Sequence, residues 1–588
     1  MKKLLSGNEA MARGIYEASV KVASAYPGTP STEILENLVQ YPGIYAEWAP
    51  NEKVAVEVAL GAAIAGVRAV CAMKHVGVNV AADPIFTASY TGINGGLVII
   101  SADDPSMHSS QNEQDNRHYA RAAKIPMFEP ADSQDCLDMM REAFELSEKF
   151  DCPVFLRTTT RVCHSKSLVT EGKPLDIPIK EYARDIKKYI ATPATAIARR
   201  PLVKERMKKL EEYANTCAFN RLEINENEIG VICSGIAVQY AREVFPPGTS
   251  FLQLGFTYPL PADLIRAFAD QVKKIYVIEE LDPFLEEQIK ALGIEVTGKE
   301  LIPDYFELNP QILRSAIWNE EPEGTDLDLQ PLPRPPVLCP GCPHRSFFYT
   351  VARTKNTIIA GDIGCYSLGS ADPLLAMDTV ICMGGGFTIA MGMAKAFATA
   401  GLTDKKIFGV MGDSTFFHSG ITGAIEIIYN QGNVIPVILD NHITAMTGQQ
   451  DHPGTGLRLS GETAEVISIP AIMEAVGFKK ILRVNPQDLQ AMQDTVAAAI
   501  SATEPTAIIV EGPCLLIKRE KSSGGACVVN KEECTSCKIC LRVGCPALYF
   551  KENKSYIDPV LCVGCTICMQ VCPFEAIEID EDYRHDPS

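Results

Sequence analysis

Short apolar runs rich in β-branched residues recur along the chain, and stretches with helical periodicity separate them. Strands of parallel sheets are buried on both faces and typically show such runs. An alternation of these strands with helices predicts parallel sheets with helices packed on both sides. The predicted strands lie at residues 96–104, 152–160, 229–238, 273–282, 357–364, 405–414, 433–441 and 505–513.

Two changes in composition predict linkers. Residues 320–337 are acidic and then proline-rich, which is typical of an extended surface segment. Residues 518–526 are polar and contain glycine, which indicates a flexible connector. With a crossover placed between residues 166 and 209, we expect three doubly wound α/β domains and a small C-terminal module. The expected ranges are 1–180, 181–325, 338–518 and 526–588.

Charge and hydropathy exclude two classes of partner. The 588 residues include 54 Lys and Arg against 73 Asp and Glu, and the resulting net charge of −19 disfavours binding to nucleic acid. The most apolar stretch, residues 379–402, is interrupted by Gly384, Gly385, Gly386 and Lys395, so we expect no membrane span. The first residues, MKKLLSGNEAMARG, lack the apolar region of a signal peptide, and we expect a cytoplasmic protein.

Cysteine is concentrated at the C-terminal end, where eight of the 20 lie in the last 55 residues. Their spacings are C-x2-C-x2-C-x4-C-P and C-x2-C-x2-C-x3-C-P, the pattern of ferredoxins that carry two [4Fe–4S] clusters. By the ferredoxin rule the last cysteine of each run ligates the other cluster. One cluster would use Cys534, Cys537, Cys540 and Cys572, and the second would use Cys562, Cys565, Cys568 and Cys545.

Zinc, which also takes four thiolates, is the alternative to iron–sulfur clusters at these cysteines. The four-residue spacer before Cys545 departs from the usual three and bears on the second cluster's geometry and iron content.

A strand that ends in Gly412-Asp413-Ser414 is followed by a helical stretch and by a second strand that ends in Asp440-Asn441. This segment resembles the thiamine diphosphate motif, in which GDG precedes an Asn by about 25 residues; Ser414 replaces the last glycine. Mg²⁺ prefers oxygen ligands. The resemblance implies Asp413 and Asn441 as side-chain ligands and Ile443 as a carbonyl ligand. A plain strand–helix turn is the alternative for this motif alone.

Further turns in the same predicted domain favour a cofactor site. Gly361, Asp362, Gly364 and Cys365 follow one strand, and Gly384 and Gly385 follow another. Ligands bind at the carboxyl ends of parallel strands in open α/β sheets. His418 and His442 lie beside the motif as candidates for proton transfer or for outer hydrogen bonding.

Taken in order, the motifs cover nearly the whole chain, which resembles the α subunits of indolepyruvate:ferredoxin oxidoreductase in the 2-oxoacid:ferredoxin oxidoreductase superfamily. Gln450 stands where the family pattern favours glycine. The motifs that carry the resemblance are YPGTPST at residues 26–32, the helix that Glu52 opens, CPGCPHR at 339–345, GDIGC at 361–365, GDSTFFHSG at 412–420, DNHITAMTG at 440–448 and the double ferredoxin pattern.

The resemblance implies roles that the residues alone do not assign. On its own, Glu52 at the start of a helix is typical of an acidic residue that interacts with the helix dipole. By the resemblance, Glu52 would be the glutamate that activates thiamine. Thr29 would lie near the substrate carboxylate. The four expected ranges would be a pyrimidine-type thiamine domain, a transketolase C-terminal-like domain, a diphosphate-binding domain and a 2[4Fe–4S] ferredoxin domain. Cys339, Cys342, Cys365 and Cys514 match in order the cysteines of a further cluster; ordinary reduced thiols are the alternative.

The resemblance also implies an activity and partners. The reaction would be oxidative decarboxylation of an aryl 2-oxoacid, with coenzyme A taking the acyl group and ferredoxin taking the electrons. A smaller β subunit would complete a heteromer and bind coenzyme A. Three alternatives stay open: preference for another 2-oxoacid, a non-oxidative thiamine decarboxylase, and a non-catalytic electron-transfer subunit.

Overall fold

The computed structural model describes residues 2–321, 334–402, 404–517 and 525–584. The chain divides between residues 328 and 329 into two compact units. Most of both predicted linkers, residues 322–333 and 518–524, lies outside the described residues. No helix among the described residues is both long enough and apolar enough to cross a bilayer.

The first unit alternates strands and helices as the apolar pattern predicts. Its strands are β1 Lys2–Ser6, β2 Val22–Ala25, β3 Tyr45–Trp48, β4 Ala69–Lys74, β5 Leu97–Asp103, β6 Met127–Phe128, β7 Val154–Thr159, β8 Lys166–Thr170, β9 Asn220–Glu223, β10 Ile229–Ser234, β11 Ser250–Leu254, β12 Phe256–Tyr258 and β13 Lys274–Ile278. Its helices are α1 Gly7–Glu17, α2 Thr32–Leu38, α3 Glu52–Ala65, α4 His75–Thr91, α5 Arg117–Ala123, α6 Ser133–Phe150, α7 Thr160–His164, α8 Ile186–Tyr189, α9 Pro193–Ala214, α10 Ala237–Val244, α11 Ala262–Ala269, α12 Phe284–Ala291 and α13 Pro310–Trp318.

Two sheets organise this unit. The larger has the order β12-β6-β7-β5-β4-β2-β3 and is parallel except for β12. The smaller has the order β13-β10-β11-β9, in which only β9 is antiparallel. Every residue of β4, β5 and β7 is buried, which explains their continuous apolar character. The strand β12 comes from the range expected for the second domain but pairs with β6 in the larger sheet.

The second unit contains one six-stranded sheet and the cysteine module. Its strands are β14 Thr357–Gly361, β15 Thr379–Val380, β16 Lys406–Gly412, β17 Ile435–Asp440, β18 Lys480–Val484, β19 Thr506–Glu511, β20 Gly525–Val529, β21 Leu548–Lys551, β22 Lys554–Ile557 and β23 Ile577–Arg584. Its helices are α14 Arg345–Val351, α15 Gly385–Thr399, α16 Asp413–Thr415, α17 Ile421–Tyr429, α18 Ile469–Val476, α19 Leu489–Ser501 and α20 Ile567–Gln570.

The six-stranded sheet has the order β15-β14-β16-β17-β19-β18, and all of its described pairings are parallel. Apolar clusters pack on both of its faces, since helices cover each side. The cysteine module consists of two antiparallel pairs, β20 with β23 and β21 with β22, and of short helical turns. Each of the eight predicted strands is present, and the predicted α/β class with a ferredoxin module is confirmed. The four-domain division stays a prediction.

Candidate functional site

The polar residues predicted in the second unit all lie at one edge of its sheet. Gly361-Asp362 follows β14, Gly412-Asp413 follows β16 and Asp440-Asn441 ends or follows β17. The neighbouring strand β15 leads to Gly384 and Gly385 at the start of α15. Because these strands are adjacent and parallel, their carboxyl ends open on a shared edge, the usual ligand position in α/β sheets.

Asp413 and Asn441 are brought into direct contact across this edge. The backbone N–H of Asn441 donates to Oδ2 of Asp413 at 3.2 Å, and the N–H of Ile443 donates to Oδ1 of Asn441 at 3.2 Å. Both side chains are buried. The donor set consists of a carboxylate, an amide oxygen and a nearby backbone carbonyl, which fits the oxygen preference of Mg²⁺.

His452 is a member of this site that the sequence did not reveal. Its Nε2 lies 3.0 Å from Oδ2 of Asp413, and both side chains are buried. Burial would raise the pKa of Asp413, but attraction to His452 and their hydrogen bond lower the pKa below its ordinary value. In the sequence, His452 precedes Pro453-Gly454, which predicts a turn. No motif fixes the spacing between this turn and Asp413, so the sequence does not mark His452 as a site residue.

Asp362 holds the glycine loop in place. Its two carboxylate oxygens accept hydrogen bonds from the N–H groups of Gly384 at 2.9 Å and Gly386 at 2.8 Å. Burial raises the pKa of Asp362 to about 6, and these backbone donors act in the opposite direction. The carboxylate of Asp362 thereby positions the start of α15.

The Tyr366 ring packs against two of the predicted glycines at this edge. The ring lies so close to Gly364 and Gly412 that a Cβ at either position would overlap it. The hydroxyl of Ser414 accepts from Thr444 at 2.9 Å, so serine is accommodated in place of the usual glycine. His418 is buried and hydrogen-bonded with Ser419, whereas His442 is partly exposed beside Asp440 and Glu511.

In the first unit, three polar side chains share the carboxyl edge of neighbouring strands. Thr29 follows β2, Glu52 begins α3 after β3, and Lys74 ends β4. The strands are adjacent in the order β4-β2-β3, so the three residues lie at one edge. Glu52 is buried, and a Cβ at Gly77 would lie only 2.6 Å from its Cγ. Glycine at position 77 therefore lets α4 approach the carboxylate.

Lys74 is the second residue that the sequence did not single out. Its Cβ lies beside Gly28 in the Thr29 turn, and its Nζ donates to the carbonyl oxygen of Ser109 at 2.5 Å. Burial lowers the pKa of Lys74 to about 8, and the negative charge of Asp104 opposes this decrease. A buried cation at this edge is suited to an anionic ligand. An isolated Lys at a strand end gives no signal in the sequence.

The cysteines of the module line two separate cavities. The first, here called cavity I, is lined by Cys534, Cys537, Cys540 and Cys572 together with Ser555 and Pro573. The second, cavity II, is lined by Cys545, Cys562, Cys565 and Cys568, and also by Cys527. The two sets of four that the ferredoxin rule predicts are thus the sets that share a cavity.

The spacing of these sulfur atoms disfavours a single metal ion. Four thiolates on zinc bind at 2.3 Å and so lie about 3.8 Å from one another. Among the described residues, ligand atoms of three or more Asp, Glu, His or Cys side chains lie within 4.8 Å of one another only at Asp115, His118 and Asp282. Among the described residues, no three thiols of either cavity therefore lie as close together as a bound zinc ion would hold them.

The third predicted set of thiols also comes together. Cys365 interacts electrostatically with Cys339 and Cys514, and Cys342 interacts with Cys339 and Cys365. Burial raises the pKa of Cys365 to about 11 and that of Cys342 to about 12, and the neighbouring thiols add to both increases. Three distant loops thus supply one group of four thiols, here called the third thiol set.

Arg345 ties the third thiol set to cavity II. Its guanidinium donates to the carbonyl oxygens of Leu338 and Cys339, each at 2.8 Å, and to those of Val543 and Gly544 at 3.0 and 2.6 Å. Gly341, with φ of 68°, packs so tightly that a Cβ there would lie 2.2 Å from Val563. The turn that carries Cys339 and Cys342 is therefore fixed against the walls of cavity II.

Comparisons with known families match three parts of the chain. Residues 362–510 match the family described as "Thiamine pyrophosphate enzyme, C-terminal TPP binding domain". Residues 13–228 match "Pyruvate flavodoxin/ferredoxin oxidoreductase, thiamine diP-bdg". Residues 555–578 match "4Fe-4S binding domain". The chain therefore has thiamine diphosphate-binding and iron–sulfur domains.

Curated relatives match over nearly the full length. Indolepyruvate oxidoreductase subunit IorA of Archaeoglobus fulgidus is 40% identical over 615 residues, which cover 98% of this chain and 97% of the relative. The subunits of that name from Methanothermobacter marburgensis and Pyrococcus horikoshii are 42% and 39% identical, with the same coverage of both chains. Among solved structures, a 2-oxoglutarate:ferredoxin oxidoreductase from Magnetococcus marinus aligns with a TM-score of 0.47 at 16% identity, over 54% of this chain and 65% of that one.

Proposed function

The chain belongs to the family of indolepyruvate oxidoreductase IorA subunits, and we propose that it catalyses the oxidative decarboxylation of aryl 2-oxoacids with electron transfer to ferredoxin. The observation that carries this proposal is that one unit contains both the Asp413–Asn441 pair and two thiol-lined cavities. Thiamine diphosphate, when bound, supplies the carbanion chemistry that releases CO₂ from a 2-oxoacid.

The residues of the second unit would hold the cofactor through its diphosphate. Asp413, Asn441 and the carbonyl of Ile443 would bind Mg²⁺, and the metal ion would hold the diphosphate at this edge of the sheet. Asp362 keeps the start of α15 in position through its two backbone acceptor contacts. In the first unit, Glu52 would exchange a proton with the cofactor's aminopyrimidine, and Thr29 and Lys74 would bind the substrate carboxylate.

The thiols would hold the iron–sulfur clusters that supply a path for the electrons. We assign one [4Fe–4S] cluster to cavity I, a second to cavity II and a third cluster to Cys339, Cys342, Cys365 and Cys514. The Arg345 contacts support electron transfer from the third thiol set to cavity II. They hold together two loops, one of which carries ligands of the third thiol set and the other a ligand of cavity II. Clusters of this kind accept single electrons, which favours oxidation of the substrate over release of an aldehyde.

The other parts of the proposal concern partners and location. A smaller β subunit would complete the enzyme and bind coenzyme A, and ferredoxin would be the final acceptor. All 20 cysteines are unbridged, which supports a reducing compartment such as the cytoplasm. We retain the four ranges 1–180, 181–325, 338–518 and 526–588 as the proposed domains.

The test of the function is an assay of the anaerobically purified complex with its β subunit. Indolepyruvate, phenylpyruvate, pyruvate and a branched-chain 2-oxoacid would each be supplied with coenzyme A and ferredoxin. We expect reduced ferredoxin and acyl-coenzyme A, with the aryl substrates preferred. Release of free aldehyde without ferredoxin reduction would instead identify a decarboxylase, and thiamine-free, inactive protein would identify an electron-transfer subunit.

Replacement of Lys74 by Met is expected to raise the KM for the 2-oxoacid about 30-fold, since leaving a charge without its buried partner costs about 2 kcal/mol. In the wild type the KM should rise as the pH increases through about 8, because Lys74 then loses its proton. Steady-state kinetics from pH 6.5 to about 9.5 measure both effects, the upper limit lying about 1.5 units above that pKa.

Two variants control for this measurement. Lys74→Arg should recover part of the affinity because the charge persists, and Lys53→Met, at an exposed lysine paired with Glu57, should leave the KM unchanged. An unaltered KM in Lys74→Met, or the same loss in Lys53→Met, would remove Lys74 from the substrate site.

Replacement of Cys537 by Ala is expected to reduce electron delivery to ferredoxin by roughly tenfold or more, because cavity I loses one of its four ligands. Carbon–carbon cleavage should be retained in part, since the thiamine residues are untouched. Parallel assays of CO₂ release and ferredoxin reduction measure the two steps. Cys217→Ala, at a buried cysteine outside all three thiol sets, is the control. Equal losses of both activities would contradict the assignment.

A further inference from the structure

Cavity II differs from cavity I in the number of thiols that line it. Cavity I has four cysteines, whereas cavity II has the four predicted ones and Cys527 in addition. The double ferredoxin spacing does not include Cys527, which precedes Cys534 by seven residues. This fifth thiol is therefore unexplained by the two-cluster assignment, on which the following inference depends.

Cys527 is fixed in the cavity by the backbone. It lies in β20 opposite Ile579 of β23, and its side chain is buried, with the residue only 2% exposed. Its backbone N–H donates to Sγ of Cys562 at 3.2 Å. Its thiol also contacts the sulfur atoms of Cys562 and Cys568. The side chain thus points at two of the sulfur atoms that would bind iron.

The position of Cys527 within the set matters for its role. Cys527 is hydrogen-bonded with Cys562 and Cys568 and also interacts electrostatically with Cys565, and Cys565 in turn interacts with Cys545. A thiol beside an iron ligand can replace that ligand without a large movement of the chain. Among the described residues, the thiols that line cavity I are the four predicted ones, and the Ser555 hydroxyl lies beside Cys540 there.

We propose that Cys527 is a reserve ligand of the cluster in cavity II and binds the iron of Cys562 when that cysteine is lost. One iron–sulfur bond then forms at the iron that Cys562 would have bound, and no other iron–sulfur bond breaks. The Cys527 thiol gives up its proton to solvent as it binds. No electron is gained or lost. While Cys562 is bound, Cys527 holds the ligand sulfur through the N–H donor, a contact that raises the reduction potential of a cluster.

The test compares alanine variants of the full chain, purified anaerobically with the β subunit. Alanine is chosen because serine can itself bind iron. Cys562→Ala should retain the iron content of the wild type to within about one iron per chain and the reduced-state EPR signal of both module clusters. Its counterpart Cys534→Ala should lose between one and about four irons per chain, because no fifth thiol lines cavity I in the part of the chain that the structure describes. The double variant Cys562→Ala/Cys527→Ala should lose iron to the same extent as Cys534→Ala.

A second pair keeps the inference testable if Cys562→Ala does not fold. Cys568→Ala should be rescued by Cys527 in the same way, while Cys540→Ala in cavity I should not be. Equal iron losses in Cys562→Ala and Cys534→Ala, together with equal losses in the second pair, would overturn the proposed role of Cys527. The cluster assignment itself would stand. Wild-type protein without cubane clusters would instead overturn the cluster assignment in the proposed function.

Discussion

Replacement of Glu52 by Gln is expected to reduce 2-oxoacid oxidation by about 10³-fold, within the range of about 10² to 10⁴ for a lost general acid–base group. Glutamine has nearly the same shape, so the contact with Gly77 and the start of α3 should persist. It cannot exchange the proton, however. The kcat at saturating thiamine diphosphate measures the effect, with hydrogen–deuterium exchange at the cofactor's reactive carbon as the direct readout.

The control for this variant lies one and a half turns along the same helix. Glu57 pairs with Lys53 on the exposed side of α3, and Glu57→Gln should leave kcat unchanged. Thiamine binding and iron content should match the wild type in both variants. Full activity of Glu52→Gln, or a comparable loss in Glu57→Gln, would show that Glu52 has only a structural role at the helix start.

The second large effect is expected for Asp413→Asn, which should weaken the Mg²⁺-dependent binding of thiamine diphosphate by about 100-fold or more. Loss of a group that only orients a metal ligand lowers metal affinity or activity about 10- to 100-fold. Asp413 is a proposed direct ligand, so its loss should have a larger effect. The amide also removes the negative charge that pairs with His452. Calorimetric titration with thiamine diphosphate, in the presence and absence of Mg²⁺, measures the affinity.

Asp494→Asn is the matched control, because it makes the same chemical change on α19 of the same unit, at a residue hydrogen-bonded only to Gln490 among its described partners. The affinity of Asp494→Asn for thiamine diphosphate should equal that of the wild type. The iron content of Asp413→Asn should be unchanged, since the cysteine cavities do not include this residue. Unaltered cofactor affinity in Asp413→Asn would remove the residue from the metal site.

The sequence predicted the groups of cysteines more fully than the polar residues at the edge of the six-stranded sheet. Two ferredoxin triplets hold their ligands within seven residues, so the spacing itself constrains which thiols can meet. Asp413 and Asn441 were also predictable, because each ends a strand and parallel neighbours align their ends. Asp362 was correctly placed at this edge, but only the structure shows that its carboxylate holds the glycine loop.

The sequence by itself determined the strand and helix alternation, the cysteine spacing and the strand-end motifs, because periodicity and spacing act between residues close in the chain. Only the tertiary structure showed the contacts between distant residues that no motif connects. His452 reaches Asp413 from 39 residues away, Lys74 lies against the turn at Gly28, and Cys527 joins the thiols around Cys562. The physical reason is that such contacts depend on how sheets and loops pack, and local sequence pattern does not encode that packing.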